Sequence, residues 1–207
     1  MKKFLITTFI VAFTSVLLTS CVKDDDYVIP SIRKVFFIEN FTTATVNAPI
    51  ALAGWSNVSL NGGAKKWEAK TYDGEFYTQL SAYGSNEVNM DTWLISPSIN
   101  LDATSNEAFA FLYKAAYHNG NAISVLISEN YDGSGTIAAV NAATWTTLDS
   151  SLPDYLTSGY PTNFSNSGPI DVSSFNGDVH IAIRYVGGST GISTTYQIDD
   201  IKLYENN

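Results

Sequence analysis

Acidic side chains stand in two places where the surrounding pattern calls for an apolar one. In VFFIENF (residues 35–41), alternation puts Val35, Phe37, Glu39 and Phe41 on one strand face, so Glu39 lies between two phenylalanines. An ionised carboxylate on a core face is costly unless it is paired or holds a metal. In YQIDDIKLY (196–204), Tyr196 and Ile198 share one phase, whereas Ile201 and Leu203 share the other. The slip at Asp199-Asp200 predicts a β-bulge that turns one or both aspartates inward. The first and last strands of a β-sandwich are often neighbours, which would let Glu39, Asp199 and Asp200 converge. Such a set, with few Lys or Arg to pair with, suits calcium, which takes about six to eight oxygens in loose geometry. The pattern fits equally well a Glu39 that reaches water at a strand end, with the aspartates at an edge bulge. A metal here is a structural clip between the ends of the chain.

Other reactive residues offer less. His118 adjoins Asn119-Gly120, and His180 alternates with inward residues and so faces outward; neither has metal-ligand spacing, and both read as solvated. No Gly-x-Ser-x-Gly elbow occurs, and Gly62-Gly63-Ala64-Lys65-Lys66 lacks the Walker spacing. Carboxylate pairs for glycoside hydrolysis depend on the separation that the fold imposes. No acidic residue lies in a hydrolytic motif, so an enzyme, a hydrolase, is the last of three functional readings.

The elements that position these residues are strands. Phe109, Phe111 and Tyr113 alternate, as do Val179, Ile181, Ile183 and Tyr185. Asn119-Gly120 between two alternating runs predicts a hairpin. Asp132-Gly133, Asn176-Gly177 and Gly187-Gly188 mark further turns. No segment keeps a helical period. The expected fold is all-β, a β-sandwich of jelly-roll type.

The N-terminus carries an address. Lys2-Lys3 precedes an apolar run, Phe4 to Leu18, which suits a signal peptide and falls short of the about 20 residues of a membrane span. Leu18-Thr19-Ser20-Cys21 resembles a bacterial lipobox, which makes Cys21, the single cysteine, the lipidation site. Lys23-Asp24-Asp25-Asp26 after it resembles the signal that sends Bacteroidota lipoproteins to the cell surface. The expected organisation is a signal peptide over 1–20, an anchor and acidic tether over 21–33, and the jelly roll over 34–207. The expected location is the outer membrane, lipid-anchored and exposed on the cell surface. The net charge of −9 becomes more negative once Lys2 and Lys3 are removed. That balance argues against nucleic acid, whose affinity comes from neutralised phosphates.

Several segments together resemble the choice-of-anchor J domain, a jelly roll of Bacteroidota surface lipoproteins related to cleaved-adhesin domains. They are Phe37-Ile38-Glu39-Asn40-Phe41, Gly54-Trp55, DTWLISPSINL (91–101), ISENYDG (127–133) with ATWTTL (143–148), and Ile198-Asp199-Asp200-Ile201. The resemblance implies a structural calcium at Glu39, Asp199 and Asp200, and makes Asp91 a further candidate ligand. It also implies that Trp55, Trp93 and Trp145 are core. Trp67 is left as a candidate ligand-binding ring. So are Tyr155 and Tyr160 in SLPDYLTSGYPTNFSNSG (151–168), although long loops more often pack on their own aromatics. The leading expectation is a non-catalytic, adhesin-like module that binds glycan or glycoprotein. The alternative is an accessory lipoprotein that docks another surface protein.

Overall fold

The structure is a computed structural model and describes residues 33–206. The expected signal peptide, the Cys21 anchor and the tether as far as residue 32 lie outside the described residues. In chain order the elements are β1 (Val35–Glu39), β2 (Ser56–Ser59), β3 (Glu68–Tyr72), β4 (Glu75–Leu80), β5 (Met90–Ile95), β6 (Ile99–Asn100) and β7 (Glu107–Ala116). There follow β8 (Ile123–Ser128), α1 (Ile137–Ala142), β9 (Thr146–Thr147), β10 (Ser165–Asn166), β11 (Ile170–Asp171), β12 (Asp178–Gly187) and β13 (Thr195–Glu205). One sheet runs β10-β7-β13-β4-β3, with β1 also paired to β13 and β11 to β7. The other runs β2-β5-β12-β8-β9, with β6 also paired to β12. All pairings are antiparallel, and the two sheets form a jelly-roll β-sandwich.

Alternation explains the core between the sheets. Phe109, Phe111 and Tyr113 of β7 meet Val125 and Ile127 of β8 and Ile181, Ile183 and Tyr185 of β12. Burying such side chains contributes about 1.5–3 kcal/mol each before the entropy cost of ordering the chain. Asn119-Gly120 does not close a hairpin, because β7 and β8 belong to different sheets. The segment crosses between the layers and is tied to the approach to β13: Ser193 N–H donates to Asn119 Oδ1 (2.9 Å), and Thr194 Oγ1 donates to the Gly120 carbonyl (2.7 Å).

The two sheets differ on their outer faces. Trp93, Ile95, Leu126 and Ala182 on the outer side of the second sheet pack under Tyr131, Val140 and Trp145. The cover includes α1, a single short helix capped at Thr136, whose hydroxyl accepts from Ala139 N–H (3.1 Å). Six residues are too few to show a helical period in the sequence. His180 is therefore buried, not solvated: its Nδ1 lies 2.8 Å from the Ser96 carbonyl, and its ring meets Tyr131 edge-on. It does face away from the main core, but the face it points to is covered.

Candidate functional site

The outer face of the first sheet is open. Its floor is a row of polar side chains set by strand register: Lys114 of β7 stands opposite Gln197 of β13, which stands opposite Gln79 of β4, which stands opposite Glu68 of β3. These are the residues that alternate with the core positions Tyr113, Tyr196, Ile198 and Leu80. Gln197 Nε2 donates to Gln79 Oε1 at 2.9 Å, leaving each amide further capacity for hydroxyl groups. The next outward residue along β13 is Asp199, opposite Leu112.

Two segments raise walls on this floor and close a groove of about 970 Å³. One is the β3–β4 hairpin. Asp73 (φ 52°) and Gly74 (φ 85°) form a two-residue turn in the left-handed region, which Asp and Gly tolerate, and it carries the well-exposed Tyr72. The other is Tyr160 to Phe164, leading into β10. Phe164 packs on Tyr77 (5.9 Å between centroids), and Lys114 Nζ lies 4.6 Å from the Phe164 centroid while donating to the Thr162 carbonyl (3.0 Å). Tyr160 lines the groove and meets the Tyr117 ring edge-on at 5.4 Å. Burial, then the nearby Tyr160 phenol, holds the Tyr77 phenol above its ordinary value. Burial pulls Lys114 below its ordinary value, opposed by the charge of Glu75.

The expected bulge is present: the β13 register shifts between Asp199 and Lys202, and Asp200 has φ 49°. Its direction differs from the expectation. Ile198 and Ile201 both stay in the core, and Asp199 turns to the floor of the groove, where it is only 6% exposed. Asp199 Oδ1 accepts the Asp200 N–H (2.7 Å). Burial pushes Asp199 up to about 6, with the charges of Asp200 and Glu75 adding to the effect. Asp200 is paired with Lys202 Nζ at 2.9 Å.

The candidate calcium ligands separate. The first and last strands do pair, and Glu39 stands opposite Ile201, next to Asp200. The Glu39 carboxylate, however, accepts the Phe41 N–H (2.7 Å) and so holds the corner where Phe41, fully buried, takes φ 57° against Trp55. Asp91 is not a partner of these acids. It lies in β5 of the other sheet, with Arg184 Nε and Nη2 on its two oxygens (2.8 and 2.7 Å) and Trp93 Nε1 on Oδ1 (2.7 Å). Among the described residues no group of three or more His, Cys, Asp or Glu is placed to hold a metal.

The three candidate rings also part ways. Trp67 is fully buried in the main core, edge-on to Tyr185, and unavailable to a ligand. It stands just before β3, outside the strand, so alternation gave no phase to place it. Tyr155 stacks on His118 at 3.9 Å and lies outside the groove, with its backbone bridged to Ala115. Tyr160 alone reaches the groove. Of the partners that sequence reasoning passed over, Tyr77, Gln79 and Gln197 carry one faint signal, the strand phase opposite the core, whereas Phe164 precedes β10 in a loop and carries none.

The class defined by this geometry is a jelly roll with one covered and one grooved outer face. No protein-family model matches the chain, and no curated protein matches it by sequence. Solved structures do match. The K2 cleaved adhesin domain of Lys-gingipain is similar at 17% identity and a TM-score of 0.59, over 81% of this chain and 98% of that one. The K1 cleaved adhesin domain of Lys-gingipain from Porphyromonas gingivalis W83 is similar at 13% identity and a TM-score of 0.52, over 83% and 98%. The K3 domain gives 13% identity and 0.51, over 82% and 99%. At these identities the likeness establishes the fold.

Proposed function

We propose that this chain is a non-catalytic, adhesin-like binding module that takes a glycan, free or on a glycoprotein, in the groove over β4, β13 and β7. The observation that carries the reading is the groove itself: rings at Tyr72, Tyr77, Tyr160 and Phe164 surround a floor of amide and carboxyl groups. Flat rings pack on the apolar faces of sugars, and amides and carboxyls pair with hydroxyls. The cleaved-adhesin neighbours agree with a binding role. The module resembles choice-of-anchor J domains and is held at the outer membrane surface through lipid on Cys21. A glycan array probed with the purified protein tests this. Array signal that falls with Tyr160→Ala, and no release of reducing ends from the bound glycan, is the expected result. Release of reducing ends would turn the groove carboxylates into a hydrolase site.

The alternative, an accessory lipoprotein that docks another protein, is favoured by the half-exposed Tyr117, Tyr155 and Leu156 at the end of β7 and in the neighbouring loop. An array without signal, together with capture of a surface protein that is lost with Tyr155→Ala, would support it.

Calcium is proposed only at the junction of β1 and β13. Its support is the register that brings Glu39 beside Asp200. An ion there would draw most of its oxygens from backbone carbonyls and water. Chelation should then lower the Tm by several degrees. Identical melts with and without chelator would leave Glu39 as the acceptor for the Phe41 N–H alone.

A further inference from the structure

The groove has one dominant sign of charge. Asp73, Glu75, Asp199 and Asp200 line it, against a single lining ammonium, Lys114. Lys114 is already engaged with the Thr162 carbonyl and the Phe164 ring. Asp200 is neutralised by Lys202 from the same strand. Asp199 stands apart from these. It is more than nine-tenths buried, it lies on the groove floor, and among the described residues it makes no ion pair. One of its oxygens takes the neighbouring N–H, and among the described residues no other group fills its hydrogen-bond capacity.

A buried carboxylate in this state seeks a donor, and a cation serves it better than a hydroxyl. A charge-assisted hydrogen bond is about twice as strong as a neutral one. An ammonium close by also favours the ionised carboxylate that burial opposes. A carboxylate on the ligand would instead meet like charge at the floor and at the hairpin wall, where such contacts are unfavourable. Accepting the glycan reading of this groove, we propose that its preferred ligand is an amino sugar with a free amine, that Asp199 is the specificity-determining residue, and that glycans bearing carboxylates are rejected. The sugar ring packs against the aromatic wall while its ammonium meets Asp199. An N-acetylated sugar keeps the stacking and loses the charge contact.

Calorimetric titration of the purified protein with short oligomers of glucosamine, N-acetylglucosamine and galacturonate tests this. The glucosamine oligomer should bind about tenfold tighter than its N-acetylated counterpart at low salt, with the advantage shrinking as salt is raised. Galacturonate should not bind. Asp199→Asn should bring the glucosamine oligomer down to the N-acetylated level. Glu75→Gln, at the exposed hairpin, should reduce the advantage only in part, and it serves as the second variant if Asp199→Asn folds poorly. Equal binding of the amine and N-acetylated oligomers, or an advantage untouched by both variants, overturns the proposal and leaves the glycan reading standing. Tight binding of galacturonate overturns it as well. Failure of all three oligomers, with no signal on a wider glycan array, overturns both.

Discussion

The two outer faces of this sandwich use the same kinds of residue for opposite ends. On the second sheet, Trp93, Tyr131 and Trp145 pack on one another (Trp93 and Trp145 at 5.1 Å, Tyr131 and Trp145 at 5.4 Å), and the polar groups among them are paired. Trp93 donates to Asp91, Trp145 donates to the Val140 carbonyl, and Arg184 lies over the Trp93 ring while gripping Asp91. On the first sheet, Tyr72, Tyr160 and Phe164 stand around a hollow, and Asp199 has an incomplete shell. Aromatic content alone therefore does not mark a binding face. The distinguishing feature is whether neighbouring side chains already satisfy the rings and the polar groups.

The comparison is broken most severely from the covered side. Trp93→Ala should destabilise by about 3–5 kcal/mol, because a buried ring leaves a cavity, Asp91 loses one of its donors and Arg184 loses the ring it lies over. For a domain of this size that lowers the Tm by about 10 °C or more. Thermal melting checks it. A loss of only a degree or two would mean that the second sheet's cover is loosely packed and that both faces are available to ligands.

Asp91→Asn is the next largest. It removes the bidentate partner of Arg184 and should cost about 1–2 kcal/mol, since the pair is partly solvated. The loss should be the same with calcium and with chelator, as Asp91 serves an arginine and not a metal. A chelator response that disappears in this variant would move the metal site to the second sheet.

Tyr160→Ala and Tyr155→Ala sharpen the boundary of the open face. Both rings are about half exposed, so each Tm should shift by no more than about 1–2 °C. Only Tyr160→Ala should weaken glycan binding, by about tenfold, as expected for an aromatic contact at a binding site. Equal loss from the two substitutions would extend the site past Tyr117 to the stacked Tyr155 and His118.

The sequence shows unevenly how the faces differ. The bulge at Asp199-Asp200 was legible because a core phase cannot slip without an extra residue, and that constraint is local. The jelly-roll class was legible because alternation recurs through most of the chain. Yet alternation marks only one side of a strand as buried. It said that His180 points away from the main core, but not that Tyr131 covers it there. It could not show that Asn119-Gly120 joins two sheets, since a turn of that composition serves either connection. The groove was hidden for a different reason. Tyr72, Gln79, Lys114, Tyr160 and Gln197 meet only through register and loop placement, and no short motif contains more than two of them. The pairing of Asp91 with Arg184 was hidden because the two are 93 residues apart in sequence.

The smallest effect expected is also the one that reads the open face most directly. Asp199 has an ordinary value of 3.8 and is pushed up to about 6 in the folded protein. Between those values the folded state keeps a proton that the unfolded chain has released. The unfolded state then binds fewer protons, so this group's contribution makes stability fall as pH rises. Below about pH 4 both states are protonated and the cost vanishes, whereas above about pH 6 it is complete. Asn keeps the oxygen that accepts the Asp200 N–H and never ionises. The displacement corresponds to at most about 3 kcal/mol, which the solvent of the open groove and the nearby Lys202 ammonium screen to about 1 kcal/mol, so Asp199→Asn should melt like the parent near pH 4 and about 2–4 °C higher near pH 8. Taking the difference between the two proteins at each pH cancels titrations elsewhere, including those of Asp132 and Asp171, which are shifted downward and act in the opposite sense. A variant no more stable than the parent near pH 8 would mean that the Asp199 charge is already compensated. The open face would then be as fully satisfied as the covered one.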